Sequence, residues 1–220
     1  MPKQFPVYLE RGSKRVFAGG LDWPGWCRSG RDDAAALEAL VSYGPRYAAA
    51  IRRARLGFEP PRDVSALNVV ERLKGNATTD FGAPGLAPKS DAERIGEAQG
   101  KRLLSLLEAS WTAFDSAAKE AASVVLRKGP RGGGRELDAI VAHVYEAEAA
   151  YVRKLGGKAD AGADMQGLRK TIVEVFASRA KGEAPPRPPR SGTLWSPRYF
   201  ARRSAWHALD HAWEIEDRAS

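Results

Sequence analysis

The sequence predicts an α+β chain that is mainly α: a small α+β unit over residues 1–75, a linker over 76–90, and an all-α four-helix bundle over 91–220. Three observations carry that prediction. Two short runs rich in aromatic and β-branched residues open the chain. A stretch of Asn, Thr, Gly, Pro and Ala then favours turns over packed elements. Beyond it, apolar residues recur at helical spacing in four successive segments.

Residues 5–10 (Phe-Pro-Val-Tyr-Leu-Glu) and 15–21 (Arg-Val-Phe-Ala-Gly-Gly-Leu), joined by a polar Gly-containing turn, read as a β-hairpin. Trp23-Pro24-Gly25-Trp26 is a turn between bulky residues, and Ser29 has an acid three residues on, the spacing of a helix N-cap. A helix is therefore expected from Asp32, with Leu37, Leu40 and Val41 on one face, a break at Gly44-Pro45, and a restart through Tyr47, Ile51 and Ala54. Residues 64–73 supply a third strand. After the linker, a long Ala-rich helix is expected over 91–127, stopped by Lys128-Gly-Pro-Arg-Gly-Gly-Gly-Arg135. A second runs over 135–155 and closes at Gly156-Gly157, and a third covers 164–181. Pro185-Pro186-Arg187-Pro188-Pro189 cannot continue a helix and makes an extended crossover, after which a last helix spans 198–217. Four amphipathic helices with short links and one long crossover are the pattern of a four-helix bundle.

Composition narrows the function classes. Lys and Arg exceed Asp and Glu by 35 to 27, a net charge of +8, which suits an anionic partner without naming one. The arginines at 52, 53, 55 and 62 lie among acids with no reading-helix pattern, so nucleic acid is not the expected partner. The single cysteine, Cys27, excludes an intramolecular disulfide and a multi-cysteine metal site, and a packed side chain suits it better than a nucleophile. No run is apolar enough to span a membrane and the first residues have no signal-peptide core, so a cytoplasmic address is expected. Gly132-Gly133-Gly134 precedes a helix but lacks the Lys-Ser or Lys-Thr of a phosphate loop, which leaves an inter-helix turn.

The chemistry lies in three histidines. His207 and His211 are four apart on the last helix, so their rings project from one face and can share an ion. His143 is mid-way along the second helix, which in a bundle can pack beside the fourth. Three neutral imidazoles hold a divalent cation and leave a position for water or substrate, the arrangement of a reactive site; structural zinc is usually closed by four protein ligands. The same spacing also suits two ordinary helix-surface histidines and a satisfied core histidine. Asp210, Glu214 and Glu146 are placed to orient the rings through their second nitrogens, and Trp111 and Trp206 to wall the pocket. Carboxylates on helices also form plain solvated faces, and aromatics at helical spacing also form plain core. No residue stands out as a nucleophile or base.

Two segments resemble a known family. Arg135-Glu-Leu-Asp-Ala-Ile-Val-Ala-His143 with Glu148 and Tyr151 following, and Arg203-Ser-Ala-Trp206-His207-Ala-Leu-Asp-His211-Ala-Trp-Glu-Ile-Glu-Asp-Arg218, are similar to the DinB-like (YfiT-like) superfamily. The resemblance covers about 91–220. It implies an antiparallel four-helix bundle with a long crossover before the last helix, and one histidine on the second helix plus an HxxxH pair on the fourth as metal ligands. His143, His207 and His211 occupy those positions. It also implies a transferase or isomerase class that uses a low-molecular-weight thiol at the metal, alongside members of no assigned activity. Trp23-Pro24-Gly25-Trp26-Cys27-Arg28-Ser29-Gly30 followed by Asp32 to Leu40 resembles HicB-like antitoxin domains, over about 5–73. That family usually carries a DNA-binding segment afterwards, whereas here a metal-binding bundle is expected.

The expected function is thus a metal-dependent transferase, isomerase or hydrolase acting on a small molecule, with zinc or nickel as the first choice of ion and iron or manganese admitted by the donor set. A homodimer is the oligomer considered. The alternative is a HicB-like antitoxin or nucleic-acid-binding module in which the metal is structural.

Overall fold

A computed structural model describes residues 4–129, 134–185 and 193–219. The chain is α+β and mainly α, and it divides into two compact units, Met1–Glu93 and Arg94–Ser220. The Gly132-Gly133 turn and most of the Pro185–Arg190 crossover lie outside the described residues.

Unit 1 holds a four-stranded mixed sheet in the order β3-β2-β1-β4. β1 (Phe5–Arg11) pairs antiparallel with β2 (Val16–Gly20), the expected hairpin. β2 continues antiparallel to β3 (Cys27–Gly30), a strand the sequence reading missed because Cys-Arg-Ser-Gly carries no β-branched or aromatic residue. The 64–73 segment becomes β4 (Leu67–Lys74), and it joins the sheet parallel to β1 with alternate residues exposed. Between β3 and β4 run α1 (Asp33–Ser42) and α2 (Gly44–Ala50), broken where Pro45 occupies the first turn of α2. The cap of α1 is Asp32, whose carboxylate accepts from the Ala35 amide, and not Ser29, which lies inside β3.

Aromatic residues fill the core of unit 1. Trp26 is fully buried, donates its indole N–H to the Leu40 carbonyl at 2.9 Å, and meets Phe5 and Phe58 edge-on at centroid distances of 5.5 and 5.2 Å. Gly20 belongs under this ring, because a Cβ there would approach Trp26 to 2.6 Å. The Tyr47 hydroxyl donates to the Pro24 carbonyl at 2.8 Å and so ties α2 to the turn before β3.

The 76–90 segment, expected as a linker, folds into unit 1. Asn76 caps a short helix, α3 (Ala77–Phe81), through a capping box with Thr79. Glu10, fully buried on β1, accepts hydrogen bonds from the Thr79 hydroxyl and from the amides of Gly85 and Leu86. Turn-rich composition was read as a boundary, but a buried carboxylate with three donors from this stretch makes it part of the unit.

Unit 2 is built from α4 (Glu97–Glu120), α5 (Leu137–Leu155), α6 (Met165–Ala180) and α7 (Pro197–Ala219). α4 packs along α7, α7 on α5, α5 on α6 and α6 on α4. α4 is shorter than the 91–127 expected: residues 89–92 make a 3-10 turn, and from Ala121 the chain turns and extends, leaving Val125 exposed. The core between the helices holds Leu107, Phe114, Ile140, Val152, Ile172, Phe176 and Phe200, all essentially buried. Each such side chain contributes about 1.5–3 kcal/mol relative to leaving it in water. Gly156, at a φ of 96°, ends α5 in the left-handed conformation that suits glycine. No helix is long and apolar enough to cross a membrane among the described residues.

Candidate metal centre

α5 and α7 carry the three histidines to one point. Buried apolar residues close to the histidines on each helix, Ile140 and Val144 on α5 and Ala208 and Leu209 on α7, anchor the segments from which the imidazoles project. One nitrogen from each of His143, His207 and His211 lies within 4.8 Å of the others. The ring centroids are 5.1 Å apart for His143 and His207, 5.0 Å for His143 and His211, and 4.6 Å for His207 and His211.

His207 Nε2 and His143 Nε2 stand 3.2 Å apart. Two nitrogens bound tetrahedrally to one ion at ordinary Zn–N lengths of 2.0–2.1 Å are separated by about 3.3 Å, so this pair already stands near a coordination edge. Two imidazole nitrogens at this distance repel unless one carries a proton or both lone pairs face a cation. Burial pushes the pKa of His207 well below the usual imidazole value, with further lowering from His211 and from Arg203. His143 is lowered too, again chiefly by burial and then by His211. Both are therefore held in the neutral form that can bind a metal.

His211 presents its Nδ1 to Glu214 Oε2 at 2.8 Å, which leaves Nε2 for the common point. A carboxylate on the outer nitrogen fixes the ring and raises its basicity, the usual support of a metal-bound imidazole. Glu214 is in turn held by Arg218, whose Nη1 donates to Oε1 at 3.0 Å. The same guanidinium is buried and donates to the carbonyls of Arg127 and Arg135, both at 2.7 Å. His211 and then Arg218 bring the Glu214 pKa below the ordinary carboxylate range.

Of the three carboxylates expected around the rings, Glu214 is in direct contact. Glu146 is exposed on α5 and acts on His143 only as a nearby charge. Asp210 is half-buried on α7 beside His211. Trp206, expected in the pocket wall, has its ring 6.1 Å from that of His207. Trp111 is buried on α4 with its nearest cation, the Arg169 guanidinium, 5.1 Å from its ring. Arg169 also pairs with Glu148 on α5 and Asp115 on α4, so Trp111 belongs with this polar group among α4, α5 and α6.

Sequence reasoning missed several partners of the site. Tyr151 meets His207 edge-on at 5.8 Å, and Trp195 and Tyr199 extend this aromatic wall. Arg203 lies over both Tyr151 and Trp206. Arg203 is four residues before His207 and Tyr151 is eight after His143, helical spacings of one and two turns that would have placed both side chains on the histidine faces. Cys27 is buried in β3 in unit 1, with the Tyr8 hydroxyl 3.9 Å from its sulfur, in the packed role expected for it.

No family model, curated protein or solved structure matches this chain.

Proposed function

We propose that this chain is a DinB-like metal protein, in which α4 to α7 form a four-helix bundle and His143, His207 and His211 hold one divalent ion, zinc or nickel ahead of iron or manganese. The observation that carries the reading is the convergence of three imidazole nitrogens within 4.8 Å, two of them already about one tetrahedral edge apart. With three protein ligands the ion keeps a position for an exogenous group, where it can polarise a substrate or lower the pKa of a bound thiol or water. The reaction class is transfer, isomerisation or hydrolysis on a small molecule, with a low-molecular-weight thiol as the co-substrate suggested by the family resemblance.

In this reading His207 and His143 supply neutral nitrogens because burial disfavours their protonation, and Glu214 aims His211. A cation on His207 Nε2 would place that ring's proton on Nδ1. Elemental analysis after zinc or nickel loading tests the proposal. About one ion per chain is expected, with none retained by His207→Ala or His143→Ala; a folded wild-type protein that holds no stoichiometric metal overturns it.

For unit 1 the HicB-like resemblance suggests an α+β scaffold role. A nucleic-acid role for the chain would appear as DNA or RNA affinity that falls steeply with salt.

A further inference from the structure

Beside the three histidines lies a cation for which the described residues provide no counter-charge. Arg203 is on α7, one turn before His207. Its guanidinium carbon is 4.6 Å from the centre of the Trp206 ring and 5.6 Å from that of Tyr151. Each of those two rings also meets His207, at 6.1 and 5.8 Å between centroids. The guanidinium is therefore flanked by the same two aromatic side chains that wall the metal ligand.

Arg203 Nη1 is buried and has no hydrogen-bond partner among the described residues. Other arginines of this unit have acceptors at their terminal nitrogens: Arg169 is paired with Glu148 and Asp115, and Arg218 with Glu214 and the Arg135 carbonyl. Arg179 and Arg198 each keep a buried Nε with no hydrogen-bond partner among the described residues, but their Nη atoms donate to the Glu183 carbonyl and to Gln99. A desolvated guanidinium nitrogen without an acceptor is costly, and the aromatic faces recover only part of the loss. The arrangement is complete when an anionic oxygen reaches Nη1.

We infer that Arg203, flanked by Trp206 and Tyr151, is the recognition point for a carboxylate on the small molecule that binds at the three-histidine centre. This deepens the metal reading and rests on it for the second point of attachment. A carboxylate matches the edge of a single guanidinium, whereas a phosphate dianion is ordinarily held by several donors. The flanking rings favour a flat or apolar body behind the carboxylate, which Trp206 and Tyr151 can cover. Arg203 thus selects and orients substrate, while the histidines hold the ion.

The test is calorimetric titration of benzoate, its neutral twin benzamide, and inorganic phosphate into the full-length protein, zinc-loaded and zinc-free, with zinc content measured on every sample. Benzoate is expected to bind the wild type, and Arg203→Gln to weaken it by about tenfold or more with zinc content unchanged, as loss of a charge-assisted contact requires. Arg203→Met, which keeps the packed stem, carries the same expectation should the Gln variant fail to fold. Benzoate affinity unchanged in the variants, benzamide binding as tightly as benzoate, phosphate binding in place of benzoate, or no benzoate binding at all each overturns the inference. The two readings fail separately: a wild type without zinc removes the metal, while benzoate affinity that depends on Arg203 in the zinc-free protein still supports the carboxylate site.

Discussion

Glu10 in unit 1 and His207 in unit 2 are both buried polar side chains on regular elements, yet their surroundings differ in kind. The carboxylate of Glu10 receives three hydrogen bonds, from Thr79, Gly85 and Leu86, and is a closed structural knot. Around His207, by contrast, its own Nδ1, Ser204 Oγ and Arg203 Nη1 are buried with no hydrogen-bond partner among the described residues. Buried polar groups are normally satisfied, and each exception calls for a physical reason. The knot closes a fold; the open set suits a centre that receives something from outside.

Variants can break this contrast. Glu10→Ala would leave one hydroxyl and two amides buried without an acceptor, and should cost about 3 kcal/mol or more of unfolding free energy in urea titration. His207→Ala should cost the metal-free protein clearly less by the same measurement, because its ring leaves behind few unpaired groups, while it abolishes metal binding. Equal destabilisation by the two would remove the distinction. Glu214→Gln keeps the shape beside His211 but not the charge, and should weaken metal affinity about 10–100-fold in competition with a chelator.

The smallest effect is a pH slope. Burial raises the pKa of Glu148 above the usual carboxylate value, against the opposing pull of Arg169. A carboxyl whose folded pKa is raised favours the native state most below its unfolded pKa of about 4.5 and loses that advantage as pH rises through the folded value. Urea midpoints of unit 2 unfolding should therefore carry a declining contribution above about pH 4.5 that Glu148→Gln removes. A Gln variant with the wild-type slope would assign that slope elsewhere.

Much of the fold was legible because it is written in local patterns. The hairpin over 5–21, the break at Gly44-Pro45 and the four late helices follow from periodicity and from glycine and proline. β3 was not legible, because Cys27–Gly30 is held by its pairing with β2 and not by its own preference. The 76–90 stretch looked like a linker because its role depends on Glu10, more than sixty residues earlier. In the site, the His207 and His211 pair was visible as one helical turn, whereas the approach of His143 needed the packing of α5 on α7. Arg218 entered the sequence reading only as the end of the segment that carries the family resemblance; its bonds to Arg127 and Arg135 span more than eighty residues and leave no local trace.

Those bonds have a consequence for how the centre can be observed. The Arg127 amide donates to the Arg218 carbonyl at 2.9 Å while Arg218 Nε donates back to the Arg127 carbonyl at 2.7 Å. The segment after α4 is thus clasped reciprocally to the last turn of α7, through the residue that steadies Glu214 and, through it, His211. If the three histidines take up an ion, occupancy should be readable at a distance: the Arg127 amide becomes a reporter whose hydrogen exchange slows on metal addition.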